Sequence, residues 1–294
     1  MDVIPESPLR DLLDHAIDYA GLFPPAALSM DQALAGYLSY RRSEEAWALG
    51  HFIVPAARLE ELLAAVPEHA PDFTVSVTIG PDLGADLDRI DRFNEAVVHR
   101  PIAVAAVEVK VTAAAEVGRV AGRLAGLSNW YGEVPLSDHD GPILDALASA
   151  GGRAKIRMGG VTPESFPAPA AVARFLADIT VRHLHFKATA GLHHPVRGRY
   201  RLAYTADAPS GTMFGYLNLL AATHLARGKA APAAVEAVLG LAGPDAFRHT
   251  SDAIVWDSGR LDRATARALR RDFHGFGSCS FREPIDELLP AMAS

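Results

Sequence analysis

The chain has a single cysteine, Cys279, in 294 residues, so no disulfide can form within it, and a reducing, cytoplasmic setting is the expectation. It lacks any apolar run near the roughly 18 residues that a membrane-crossing helix needs. Its first residues, MDVIPESPLRDLLDH, lack the basic-then-apolar order of a secretory leader. A basic excess is missing too. The net charge of −7 argues against a nucleic-acid partner, because phosphate neutralisation needs a basic face. No G-x-G-x-x-G follows an early strand, which counts against a doubly wound dinucleotide-binding sheet, the second architecture considered.

Lysine is almost absent. Of 28 basic residues only Lys110, Lys155, Lys187 and Lys229 are lysine, and arginine supplies the rest. Three of the four fall inside apolar, strand-like runs. A desolvated lysine can lose its proton and act as nucleophile or base, which arginine cannot do. The alternative is a lysine whose stem lies along apolar surface with its head in water.

What is present is alternation. Strand-like stretches at 15–26, 51–56, 73–80, 102–111, 129–136, 153–160 and 183–191 are each followed by an amphipathic, helix-like one. Thr162-Pro163-Glu164 reads as a helix start, and a polar loop after residue 191 leads to a helix beginning near Gly211. The segment FRHTSDAIVWDSGRL reads as an added hairpin, which leaves FHGFGSCSF (273–281) as the eighth strand, with a short helix in PIDELLPAM after it. Eight β-then-α units predict an α/β fold: one (β/α)8 TIM barrel spanning 1–294, with a small hairpin insertion at about 230–262.

In such a barrel the reacting groups lie at the carboxyl ends of the strands, and side chains alternate in and out. Glu108 and Lys110 share a face of the fourth strand, Tyr131 and Glu133 of the fifth, Lys155 and Arg157 of the sixth. His183, His185, Lys187 and Thr189 share a face of the seventh. Residues of opposite parity, such as Val107, Val109, Ile156, Phe186 and Ala188, are apolar and should face the helices. The interior should therefore hold a charged cluster, either catalytic or a set of structural ion pairs. An amine crowded by cations and walled by aliphatic groups has a lowered pKa. It can attack a carbonyl to form an imine, with Glu108 or Glu133 moving the protons.

Three segments resemble a known family. FKATAGLHH (186–194) is similar to the lysine signature of deoxyribose-phosphate aldolases, which are class I (Schiff-base) aldolases on this barrel. AKIRMGG (154–160) is similar to their second lysine segment, and GFGSCSF (275–281) to their last-strand phosphate-holding segment. The resemblance implies a lyase of aldolase type that needs no cofactor and takes a small carbonyl substrate. In that family the imine lysine is on the sixth strand and a helper lysine on the seventh. Local pattern therefore favours Lys187 as the amine, while strand position favours Lys155. The family's fourth-strand aspartate would correspond to Glu108. HHP and DYAGLFPP have no counterpart, which implies a separate branch.

Gly159, Gly160, Gly191 and Gly277, with Ser278 and Ser280, could bring backbone N–H groups close to an anionic substrate group. Arg157 or Arg197 would add charge there and Thr189 a hydroxyl. His193 and His194 are candidates for acid–base work. A second set, His185 with His193, His194 and Glu133, has ligands suited to a divalent metal such as zinc or manganese and would suit a metal-dependent lyase, isomerase or hydrolase. Tyr19, beside Asp18 near the end of the first strand, is either a proton donor to substrate or a core tyrosine. Cys279 reads as a small buried hydrophobe. A non-catalytic metabolite-binding barrel is the third reading, and the sequence leaves a homo-oligomer open.

Overall fold

The computed structural model describes residues 6–124, 129–137 and 139–288. Helix α1 (Pro8–Leu13) precedes β1 (Ile17–Tyr19), and α2 (Met30–Tyr40) follows. Five further β-then-α units and a seventh barrel strand come next: β2 (Leu49–Pro55) with α3 (Leu59–Ala65), β3 (Phe73–Thr78) with α4 (Leu83–Ala96), β4 (Ile102–Lys110) with α5 (Ala114–Arg123), β5 (Trp130–Glu133) with α6 (Gly141–Ser149), β6 (Arg153–Arg157) with α7 (Pro169–Val181), and β7 (Phe186–Thr189). After β7 come β8 (Gly198–Arg201), β9 (Ser210–Met213), α8 (Tyr216–Arg227) and α9 (Pro232–Gly240). Then follow β10 (Arg248–His249), β11 (Ala253–Trp256), β12 (Gly259–Asp262), α10 (Arg263–Arg270), β13 (Phe273–Ser278) and α11 (Arg282–Asp286). The helix expected at 284–292 lies outside the described residues beyond 288.

Strands β1 to β7 and β13 form one closed, all-parallel barrel. The (β/α)8 architecture read from the alternation is the one found, with 273–281 as the closing strand. The segment 248–262 is a small antiparallel sheet outside the barrel, ordered β10-β11-β12. None of the described helices is long and apolar enough to cross a membrane.

Local chemistry explains the element ends. Ser29 and Gln32 form a reciprocal capping box that starts α2. Closure depends on Gly275, whose φ of +145° brings β13 against Ala16; a Cβ there would lie 2.4 Å from the Ala16 carbonyl oxygen. Outward-facing residues Val107, Val109, Ala154, Ile156, Phe186 and Ala188 are all buried in the layer between barrel and helices.

Three local expectations fail. The helix expected from Thr162 is only a short 3-10 turn at Pro163–Ser165, and α7 begins at Pro169. Pro167 and Pro169 hold the residues before them out of the helical region, and Pro169 suits a first helical position. The polar loop after β7 contains a hairpin, β8 against β9, so Gly211–Met213 are strand and the helix starts at Tyr216. Thirdly, β7 begins only at Phe186: His183 has φ +53° and lies exposed, and His185 sits at the amino rim.

Candidate active site

The barrel interior holds a row of alternating charges. Asp18 on β1 pairs with Lys187 on β7, and Lys187 Nζ also donates to Glu108 Oε1 on β4 at 2.7 Å. The other oxygen of Glu108 is 2.7 Å from Lys155 Nζ on β6, an ion-pair contact without good hydrogen-bond alignment. Lys155 continues to Glu133 on β5 at 2.8 Å, and Glu133 accepts from Arg157 Nε at 2.9 Å. Ser76 on β3 donates to Glu108 Oε1 at 2.6 Å, and the His51 N–H donates to Asp18 at 2.7 Å.

Pairing register explains why two lysines can meet here. Lys155 and Lys187 are Cα partners across β6 and β7, so their stems leave the sheet side by side. Glu108 reaches across from β4 and gives each ammonium one oxygen. Two like charges are buried side by side because a carboxylate stands between them.

This arrangement departs from the expected cluster of cations. Burial alone would lower the Lys187 pKa, but Asp18 and Glu108 outweigh it and hold the amine well above the ordinary lysine value. Lys187 is the protonated partner of two acids and is 2 % exposed. Glu108 and Glu133 feel the converse: burial opposes their charge, yet the lysines, and Arg157 for Glu133, hold both carboxyls below the usual range.

The carboxyl end of the barrel opens into a cavity of about 630 Å³. Glu108, Glu133 and Lys155 form its floor, with Lys110 and Arg157 higher on the wall. Lys187 does not line it. The two lysines are thus separated: Lys155 meets the cavity, and Lys187 lies beneath the floor. Lys110, at the end of β4, is exposed. Gly159, Gly160, Gly191, Gly277 and Thr189 line the cavity. Gly191 has φ +68°, and a Cβ there would come within 2.9 Å of Gly159 Cα, so the two glycine turns depend on each other.

Other candidates lie elsewhere. The Ser278 hydroxyl donates to the Ser280 carbonyl at 2.7 Å, and the Ser280 hydroxyl accepts from the Glu283 N–H at 3.2 Å. Both serines shape the turn into α11 and neither lines the cavity. Tyr19 is buried among Tyr37, Tyr40 and Phe52, away from the cavity. Burial first, then Tyr40 and Cys279, raise its hydroxyl pKa. It is the core tyrosine; its neighbour Asp18 is the inward residue of β1. Arg197 lies over the Phe214 ring.

The histidines separate as well. His193 lines the cavity beside Cys279, with Nδ1 3.0 Å from Glu283 Oε2 and Cys279 Sγ 3.9 Å from the ring. Burial works against its charge, but Cys279 and Glu283 overcome that and hold its pKa up at about 10. His194 turns away, stacking on Tyr200 and bonding Glu287 Oε1 at 2.7 Å. Burial is the main cause of its lowered pKa. His185 lies at the other end of the barrel, bonded to the Arg271 carbonyl at 2.6 Å. The set His185, His193, His194 and Glu133 is therefore not assembled as metal ligands, and among the described residues no group of three or more such side chains is placed to hold an ion.

Sequence reasoning left Asp18, Ser76 and Glu283 without roles. Asp18 carried a usable signal, since it is the acid of opposite parity to Tyr19 on a three-residue strand. Ser76, a lone polar residue inside FTVSVT, carried another. No known family model matches this chain, and comparison with characterised proteins and with solved structures finds no match.

Proposed function

We propose that this chain is a Schiff-base lyase of aldolase type, with Lys155 as the imine-forming amine and a small anionic carbonyl compound as substrate. One observation carries the reading: Lys155 is the buried amine that reaches the cavity floor, and carboxylates stand within 2.8 Å on two sides of it. It also fits the resemblance noted above, in which the imine lysine is on the sixth strand, the helper lysine on the seventh and an acid on the fourth.

The chemistry follows from charge. Lys155, ion-paired with Glu108 and Glu133, must pass one proton to either of them before its lone pair attacks a carbonyl carbon. The carbinolamine hydroxyl then leaves as water, taking that proton back. The resulting iminium again carries one positive charge at Nζ, where both carboxylates already stabilise it, so little reorganisation accompanies the step. In the cleavage direction, a carboxylate removes the proton from the substrate's β-hydroxyl. The C–C bond breaks and its electrons enter the iminium to give an enamine. His193, an imidazolium at neutral pH, faces the cavity as a proton donor to that carbon. Water then hydrolyses the imine and frees Lys155. Lys187 stays charged and holds Glu108 in place. Arg157 and Lys110 stand where an anionic substrate group would lie, and the glycine turns let backbone N–H groups approach it.

Borohydride reduction in the presence of small aldehydes and 2-oxo acids tests this. A mass increment on the peptide holding Lys155, lost in Lys155→Met, is expected; an increment on Lys187, or none with any carbonyl, refutes it. A second reading is favoured by the completeness of the pairing, since each carboxylate in the row has a cation partner. On that reading the row is scaffold for a non-catalytic metabolite-binding barrel. No adduct would form, and Lys155→Met would bind its ligand as wild type does.

A further inference from the structure

At the end of the barrel opposite the cavity lies a second pocket of about 210 Å³. Two guanidiniums line it, Arg153 at the start of β6 and Arg270 at the end of α10. Neither has a carboxylate within ion-pair distance among the described residues. Arg270 donates to the backbone carbonyls of Phe273 and Asp14, the latter at 2.9 Å. Arg153 lies over the Tyr131 ring at 5.7 Å, with Nη1 3.4 Å from its hydroxyl. Lys187 forms the inner wall, and Asp18, the only carboxylate among the described residues lining the pocket, is already committed to it. The two arginines thus line the recess without a direct ion-pair partner, and Asp14 and Asp18 act on Arg270 only at longer range.

His274 shares the recess with them. Its Nδ1 accepts from Tyr131 at 2.7 Å and its Nε2–H points at the Arg271 carbonyl at 3.3 Å, so the hydrogen bonding fits the neutral ring. Burial, then Arg153, His185 and Arg270, hold its pKa down at about 4. Burial is the main cause, and the neighbouring positive charges add to it. Guanidiniums kept without an acidic partner in a concave polar site are suited to a multivalent anion, which they can grip by paired, charge-assisted hydrogen bonds. The size limits the choice: about 210 Å³ lies below the roughly 300 Å³ at which drug-sized ligand sites begin. The recess suits phosphate or a short dicarboxylate better than a nucleotide.

We propose that this amino-end pocket is a binding site for a small dianion held between Arg153 and Arg270. The site is separate from the cavity, and the inference does not rest on the imine chemistry. It has a consequence for that chemistry, since Lys187 forms the pocket's inner wall and also holds Glu108. An anion near Lys187 competes with Glu108 for it and so alters what Lys155 experiences on the other side.

The test is histidine-ring NMR on the full chain, with His274 assigned by loss of its signal in His274→Gln. Inorganic phosphate and malonate are titrated at constant ionic strength, with chloride as control. Saturating dianion should move the His274 titration midpoint upward from about 4, toward the ordinary histidine value near 6.5. Arg153→Gln and Arg270→Gln should each weaken that binding by about ten-fold or more. Arg157→Gln, at the opposite mouth, should leave it unchanged. A response to malonate but not phosphate would identify the ligand as a dicarboxylate. No response to either anion, undiminished binding by folded Arg153→Gln, or loss of binding in Arg157→Gln would each overturn the proposal. Arg153→Gln carries the decision if Arg270→Gln does not fold, because Arg270 also ties α10 to β13.

Discussion

Replacing Glu108 with glutamine is the sharpest test of the charge row. Glu108 is 2 % exposed and meets Lys155, Lys187 and Ser76 at once. Glutamine keeps the shape but removes the charge, and its amide N–H2 must then face one of the two ammoniums. Lys187 would keep Asp18, and Lys155 would keep Glu133. Breaking a buried pair by removing one partner costs about 3–5 kcal/mol, because a charge is left under-compensated. For a chain of this length that lowers Tm by about 6 °C or more. Lys155→Met should cost less, since Glu108 retains Lys187 and Ser76 while Glu133 retains Arg157. The double variant removes the ammonium that Glu108→Gln strands, so its loss should fall short of the sum of the single losses by about 1 kcal/mol or more. The acid limb gives a second readout. Glu108 and Glu133 have folded pKa values held below the ordinary glutamate value of 4.5. Their contribution is therefore present above that value and is lost as pH falls toward the folded values. Glu108→Gln should flatten that fall. Thermal melts of the four proteins from pH 7 to pH 3 supply every number. A Glu108→Gln loss under about 1 kcal/mol, or strict additivity, would refute the description of the row as a coupled, desolvated unit.

His193 should reveal itself on the alkaline side. Its folded pKa of about 10 lies above the ordinary histidine value of 6.5, so its contribution is full below 6.5 and is lost as pH rises through about 10. His193→Gln should remove that alkaline loss in melts between pH 6 and pH 10; an unchanged profile would mean the imidazolium is not held by Glu283 and Cys279. Gly191→Ala should destabilise by about 1 kcal/mol or more, because φ is +68° and the new methyl meets Gly159. Chemical denaturation measures this, and a neutral result would show that the paired glycine turns are not in close contact.

The barrel was legible because its signal is periodic and repeated: β-then-α units with apolar outward positions leave few other architectures. The inward positions Glu108, Glu133, Lys155, Arg157 and Lys187 were legible for the same reason, since parity on a strand decides which way a side chain points. What parity cannot give is depth along the barrel axis. Lys155 and Lys187 share a register, yet one meets the cavity and the other the opposite pocket, a matter of side-chain course and of which acids lie nearby. Partner identity was hidden too. Lysines separated by carboxylates from β1, β4 and β5 look in sequence like lysines crowding one another, because those acids are 22 to 169 residues away. The hairpin of β8 and β9 escaped notice since Gly198–Arg201 is a polar, half-exposed strand with no apolar alternation to announce it.

That hairpin has a wider consequence. Its residues Leu202 and Met213 form part of the cavity wall, while its two ends are drawn together where His194 bridges to Gly215. The chain leaves the barrel and returns to it at almost one place. Residues between those points supply no strand to the barrel and none of the charges on its floor, although Tyr200 stacks on His194 and Tyr204 donates to Glu283. Directed evolution of substrate range should therefore begin with libraries confined to 198–213, where diversity costs the scaffold least.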